Sequence, residues 1–296
     1  MNMTYEDDLN KAIKYMLAAG LLFAITGAFA KVLGEYMSSI EVAFFRNSVG
    51  LVIILISVYK IPLNNIGSKP LLLFGRGFIG FIALLAYFYN IVNIPLAEAQ
   101  TFSKTSPIFT AIFSYILLKE KLSPSAWIGV FIGFIGIVFI TGFDITNLSK
   151  TDWLGIFSGV GAALAYTSIR ELKKYYETRT IVLSFMGVGT VGPIILMGIG
   201  QYYSNPNLDF LFAPFIMPKD EMFLYILGLG LTATFSQIFM TKAYSLAKGG
   251  IVGTIGYSNV IFSIFLGMML GDAFPSMYVL SGVALIIFSA YLVSKK

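Results

Sequence analysis

Ten uninterrupted apolar stretches, each close to 20 residues long, take up most of this 296-residue chain. They run roughly over 14–33, 42–60, 71–91, 96–118, 126–142, 153–172, 181–202, 222–242, 250–270 and 276–293. A helix needs about 20 mostly apolar residues to cross the hydrocarbon core of a bilayer. Ten such spans consume about 200 residues, which leaves short connections and no room for a soluble domain. The longest connection, around Tyr203–Glu221, carries Pro206, Pro214 and Pro218 and suits a short interfacial segment. A β-barrel does not fit, because the runs are continuous rather than ten-residue strands of alternating polarity. Charge is scarce as well: 12% of residues are Asp, Glu, Lys or Arg, against about 25% in a soluble domain. The pattern predicts an all-α polytopic membrane protein with ten transmembrane helices.

The net charge of +5 follows topology rather than a nucleic-acid partner. If the N-terminus is cytoplasmic, fifteen of the twenty Lys and Arg fall at cytoplasmic ends; the others are Lys31, Arg46, Lys104, Lys150 and Lys219. Such a bias orients membrane proteins. An even number of spans then puts both termini in the cytoplasm, and the inner membrane is the expected location. Ala28-Phe29-Ala30 resembles a signal-peptidase site, but Glu6, Asp7 and Asp8 precede the first span where a signal peptide is basic. The first span is therefore expected to be retained.

The chain repeats itself. A shift of 152 carries Thr105-Ser106-Pro107 onto Tyr257-Ser258-Asn259, and Leu118-Lys119-Glu120 onto Leu270-Gly271-Asp272. Near the starts of the halves a shift of about 139 lays Ala30-Lys31 over Ile169-Arg170, and the difference falls near the 203–221 connection. Residues 1–147 and 148–296 then hold five spans each. Because five is odd, the second half enters the membrane inverted. Inverted repeats are a transporter architecture, with the substrate site near the midplane between the halves.

Lys104 is the residue most in need of a purpose. It lies eight residues into the fourth span, about 12 Å down and close to the midplane of a ~30 Å core. A cation there costs ~2.5–3.5 kcal/mol on insertion scales, so it should face a cavity. Ala97, Gln100, Thr101 and Lys104 have helical spacing and share a face. Pro107 removes a backbone donor just beyond and makes a hinge there. The repeat position of Lys104 is Gly256, which leaves space across the pseudo-twofold axis for an anion. Tyr87, Asn90, Gln237, Tyr257 and Asn259 are further polar candidates for a substrate contact, or for bonds between helices. Arg46 and Arg76, a few residues inside their spans, read as snorkelling anchors or gate residues. Lys31, Glu35, Glu41 and Arg46 are expected together at the outer rim.

Several chemistries are excluded. There is no His and no Cys, so a Cys/His zinc site, a thiol nucleophile, a disulfide framework and a Ser-His-Asp triad are ruled out. No metal and no cofactor is expected. Gly249, Gly250, Gly253 and Gly256 mimic a phosphate loop only in composition, with no preceding strand and no following Gly-Lys-Ser/Thr, so an ATP-driven pump is not indicated. The glycines at 129, 133 and 136, and those at 155 and 159, have the spacing that lets helices approach closely. No carboxylate falls at the midplane, so the expected transport is facilitated, exchanging, or coupled to a proton carried by the substrate.

The stretches Gly20–Gly50 and Tyr87–Ile140 resemble EamA-type members of the drug/metabolite transporter superfamily. The small residues before Pro107, the acidic Glu120 at the end of the fourth span and the glycines of the fifth carry the likeness; Asn259 and Asp272 replace the proline and glutamate in the second half. The resemblance implies ten helices in two inverted five-helix repeats, transport of a small metabolite by alternating access, and a homodimer surface on the fifth and tenth helices. The reading is thus a secondary transporter, not an enzyme, in contact with membrane lipid. Its substrate is expected to be carboxylate- or phosphate-bearing, or an amino acid. A lipid flippase, a lipid-modifying enzyme and a sensor are the rival classes.

Overall fold

A computed structural model describes residues 2–119, 123–140, 148–247, 252 and 255–294; the side chains of residues 2–7, 107, 114, 118, 126, 140, 170, 290 and 293–294 fall outside the description. Glu120, Gly249, Gly250 and Gly253 lie outside the described residues. The described chain is helical, with no strand among the described residues. Its helices are α1 (Asn2–Gly34), α2 (Ser39–Lys60), α3 (Pro70–Asn93), α4 (Leu96–Ser103), α5 (Ser106–Leu118), α6 (Pro124–Ile140), α7 (Lys150–Leu172), α8 (Thr178–Gly200), α9 (Met222–Leu246), α10 (Ser258–Met269) and α11 (Met277–Ser294). Five segments are long and apolar enough to cross a membrane: Asp8–Gly34 of α1, and α2, α3, α8 and α9. The chain is a multi-pass membrane protein.

Local chemistry sets several helix starts. Ser38 and Glu41 form a reciprocal capping box at α2, and Ser149 and Asp152 form another at α7. Each box satisfies two donors that a helix start otherwise leaves unpaired. Pro70 opens α3, where its missing N–H costs nothing. The chain reaches it through Gly67 and Lys69, both at positive φ (70° and 55°).

The fourth span is not one helix. Ser103 ends α4, Lys104 and Thr105 form a turn, and α5 begins at Ser106. Two features favour the break. Thr105 Oγ1 donates to the Phe102 carbonyl at 2.8 Å, competing with the helical ladder. Pro107 has no N–H to return to the preceding turn; it stands in the first turn of α5. A second turn at Gly256–Tyr257 precedes α10 in the ninth span.

Packing sorts the helices into matched pairs. The first helix lies on α9 and α10, much as α7 lies on α3 and on α4–α5. Helix α2 packs against α8, and α6 against α11. Two larger apolar cores stand out among the described residues. One gathers Leu33, Ile40, Leu85, Leu96 and Leu229, and the other Met16, Ile169, Leu172, Ile181 and Met240. Large apolar side chains also face outward, among them Leu71, Phe131, Leu224 and Phe265, as a lipid-facing surface requires.

The glycines of α6 are used within the chain. A Cβ on Gly133 would strike Ile108 and Ser289, and one on Gly136 would strike Ile286 of α11. Ser289 Oγ donates to the Gly129 carbonyl at 2.7 Å across the same seam. The long connection after α8 docks on the helix ends: Asp209 pairs with Lys150, and the Ile216 amide donates to Glu41 Oε1 at 2.7 Å.

Candidate functional site

Between the two cores lies a cavity of about 90 Å³. Its wall is assembled from α1, α2, α3, α4, the start of α5, α7, α8 and α9, with the turn residues Lys104 and Gly256. Three cations line it: Arg46, Arg76 and Lys104. No Asp or Glu is found among the described residues of the wall.

The arginines enter from opposite ends of neighbouring helices. Arg46 is seven residues into α2 and Arg76 six into α3, each about 10 Å along its helix. Both turn inward, with relative exposures of 2% and 3%. Their guanidinium carbons stand 5.1 and 4.7 Å from the centroid of one ring, Phe185 of α8. A desolvated cation–π contact is worth about 2 kcal/mol, less than the ~2.5–3.5 kcal/mol that each cation costs inside the membrane. The snorkelling reading of Arg46 and Arg76 is therefore corrected: neither reaches the surface. Both side chains turn into the bundle instead.

Their partners differ. Arg46 Nη1 donates to Asn47 Oδ1 at 2.7 Å, and Nη2 to Gln237 Oε1 at 3.5 Å. Asn47 is itself held by the carbonyls of Ala43 (2.9 Å) and Gly189 (3.1 Å). Arg76 is less provided for, since its buried Nε and Nη1 have no hydrogen-bond partner among the described residues. An unpaired buried polar group costs about 1–3 kcal/mol, more when charged.

Lys104 sits at the turn after α4. Its ammonium has no partner among the described residues, while its carbonyl accepts the Tyr257 hydroxyl at 2.6 Å. Ser103, Ser106, Ser158 and Gly256 line the wall with it. The expected space opposite Lys104 thus coincides with Gly256 in this cavity. Gln100 faces the same space with an unpartnered buried Nε2, and Tyr87 and Gln237 complete the expected residues found there.

Four expected residues lie elsewhere, and all but Thr101 bond to another segment of the chain. Thr101 Oγ1 donates to the Ala97 carbonyl at 2.6 Å in its own helix. Asn90 Nδ2 donates to the Thr151 carbonyl at 2.8 Å. Asn259 Nδ2 donates to the Gly20 carbonyl at 3.0 Å, fastening α10 to α1. Tyr257 is spent on Lys104. Conversely, Phe185 and the stacked Tyr166 and Tyr244 (centroids 5.1 Å apart) line the cavity without any signal in the sequence.

The two ends of the bundle differ. At one, Lys31 Nζ pairs with Asp272 Oδ1 at 2.6 Å and reaches the Ile94 carbonyl at 3.3 Å, while Asp272 Oδ2 accepts the Leu96 amide at 2.8 Å. The expected rim cluster is corrected accordingly: Lys31 pairs with Asp272, Glu41 is occupied by Ser38 and Ile216, and Arg46 lies in the interior. At the other end, Glu171 bridges Lys69 and Lys174, each at 2.6 Å. The hydrogen bond to Glu171 raises the Lys69 pKa above its usual range. Beside this bridge opens a cleft of about 770 Å³ lined by Lys69, Leu117, Glu171 and Lys174, and Arg76 belongs to its wall too. Arg76 thus stands between the central cavity and that cleft.

Comparison with known proteins bears on the fold and the family. The model of the EamA-like transporter family matches residues 10–142. An uncharacterized transporter of Helicobacter pylori is 34% identical over 288 residues, covering 95% of this chain and 94% of its own. The pseudopaline exporter CntI of Pseudomonas aeruginosa is 26% identical over 293 residues, covering 98% of each chain. A solved crystal structure superposes with a TM-score of 0.63 over 96% of both chains at 18% identity, a likeness of fold.

Proposed function

The chain belongs to the EamA-like transporter family, and we propose that it is a secondary transporter carrying a small organic metabolite with a carboxylate or phosphate group. The observation that carries this reading is the central cavity, where Arg46, Arg76 and Lys104 meet no acid among the described wall residues. Buried charges are tolerated when paired, and a bound anion supplies the pair. The short list of polar groups on an otherwise apolar and aromatic wall suits a metabolite-sized ligand.

Alternating access is supported by three relations. The packing pairs of the first half have mates in the second, α1 on α9 answering α7 on α3. The turns at Lys104–Thr105 and Gly256–Tyr257 differ by the same 152 residues that relate the sequence halves. One end of the bundle is braced by Lys31–Asp272, while the other carries a wide cleft reaching Arg76. We read these as ten spans in two inverted halves, 1–147 and 148–296, in the inner membrane with both termini cytoplasmic. The outward face of α6 and α11 is where a second copy would dock. With no carboxylate among the described wall residues, we read transport as facilitated or exchanging, with any proton travelling on the substrate.

The test is a thermal-shift screen of metabolites on the purified protein, followed by proteoliposome uptake of the hits. An anionic hit should be taken up, and Lys104→Ala should abolish its stabilisation and its uptake. Uptake unaffected by Lys104→Ala would remove the central site. Uphill flux of a substrate of constant charge, driven by a pH gradient, would overturn the coupling assignment.

A further inference from the structure

Charge accounting in the cavity narrows the substrate beyond "anionic". The described wall carries three cationic side chains and no anionic one. The two hydrogen bonds of the Arg46 terminal nitrogens go to neutral amides, Asn47 and Gln237. Arg76 leaves Nε and Nη1 unpaired at 3% exposure. Lys104 keeps a free ammonium among the described residues. A ligand with one negative charge leaves two cations uncompensated in a low-dielectric site, where charge is costly. A zwitterion adds no net charge, and its ammonium would find three cations and no described carboxylate.

The cations are also divided in space. Arg46 and Arg76 share the Phe185 ring on the α2–α3–α8 side. Lys104, at the α4–α5 turn, lines the same cavity as Ser103, Ser106 and Ser158. Ala83, Leu84, Ala162 and Ala165 supply apolar wall. We propose that the cavity binds a compact organic dianion, with one anionic group taken by Arg46 and Arg76 beside Phe185, a short carbon skeleton against the alanine wall, and a second anionic group taken by Lys104. Arg76, with the most unmet bonding capacity, is the principal anchor. The assignment rests on the transporter reading above and is more specific than it, because it excludes zwitterionic amino acids and cationic metabolites.

A size-matched series isolates charge from shape. Binding to the purified full-length protein is measured by calorimetry with succinate, succinamate, succinamide and 4-aminobutyrate; glycerol 3-phosphate and inorganic phosphate form the phosphate arm. The expected order is succinate or glycerol 3-phosphate first, with at least a tenfold loss for succinamate and no detectable binding of succinamide or 4-aminobutyrate. Which of the two dianions leads identifies carboxylate or phosphate as the second group. Inorganic phosphate binding as tightly as either organic dianion would overturn the two-pole arrangement. Arg76→Gln should weaken the leading dianion roughly 10–100-fold, as loss of a charge-assisted contact does, and Arg76→Lys should recover part of it. Elution of each variant as a single species keeps a folding defect apart from a binding defect.

Binding of 4-aminobutyrate or succinamide at the affinity of succinate would overturn the proposal, as would failure of every dianion to bind. The transporter reading fails on a different measurement. If proteoliposomes move none of these compounds, and none of a mixture of amino acids, amines and nucleotides, transport itself is refuted. If they move a zwitterion or a cation, transport stands and the dianion assignment falls.

Discussion

Lys31 and Asp272 stand near opposite ends of the sequence and 2.6 Å apart in space. Asp272 also caps the first amide of α4 through its other oxygen. One carboxylate therefore ties α1, the start of the broken fourth span and the turn after α10. The pair is mostly sheltered, with side-chain exposures of 20% and 13%.

Asp272→Asn keeps an acceptor for the Leu96 amide but removes the ion pair. A cost of about 2 kcal/mol is expected, between that of a surface pair and a buried one, read as a lower melting temperature in detergent. The chain has no cysteine, so one placed at Ser103 in the cavity wall reports access cleanly. An impermeant thiol reagent added from the Lys31 side should label it faster in the Asp272→Asn background. Equal labelling rates would show that the pair does not close that end.

Lys104→Met should separate stability from binding. Removing a half-buried cation that has no partner among the described residues relieves part of its desolvation cost, so the ligand-free protein should melt higher. Affinity for an anionic ligand should fall by about 2–5 kcal/mol, the usual loss for one member of a buried charge pair. A lower ligand-free melting temperature would mean that the ammonium supports the fold instead.

Two glycines should respond in opposite directions to alanine. A Cβ on Gly159 would meet the Thr105 side chain and lie 3.1 Å from the Phe102 carbonyl. Gly159→Ala should therefore push on the turn that carries Lys104, cost about 1–3 kcal/mol and slow transport. Gly187 has nothing within 4 Å of the added carbon, and alanine there should add about 0.5–1 kcal/mol through helix propensity. Thermal melts of both variants decide the matter.

The loop between α7 and α8 carries a pH dependence. Glu177 accepts from Arg179 (2.8 Å) and from the Asn64 amide (2.6 Å), which holds its pKa below that of an ordinary glutamate. A carboxylate with a depressed folded pKa stabilises above its unfolded pKa and loses that contribution as pH falls through the folded one. Wild type and Glu177→Gln should thus differ in melting temperature at neutral pH and converge in acid, as the pH falls through the depressed folded pKa of Glu177. A difference that persists into strong acid would assign the effect to packing rather than charge.

Much of this architecture is legible in the sequence, and the failures have one cause. Counting residues along an apolar run gives depth, which is why Lys104 could be placed near the middle and its repeat mate Gly256 opposite it. Counting does not give rotation. A helix in lipid is apolar on its outer face as well as its inner one, so the periodicity that orients a surface helix in water is weak. The sequence therefore points Arg46 and Arg76 toward the rim, whereas both turn toward Phe185. The same gap hid Tyr166 and Tyr244. Asp272 was visible as an acidic turn in the repeat, but its partners Lys31 and Leu96 come from distant parts of the chain, and no local pattern names them.

The bond from the Tyr257 hydroxyl to the Lys104 carbonyl has a mechanical side. Both residues sit at the interruptions of their spans, so the two half-length levers α5 and α10 share a pin. A change of angle at one interruption is transmitted to the other, because the carbonyl that would let the fourth span flex alone is already held by the ninth. The Lys104 ammonium is thereby mounted on the joint that links the α4–α5 turn to the turn before α10.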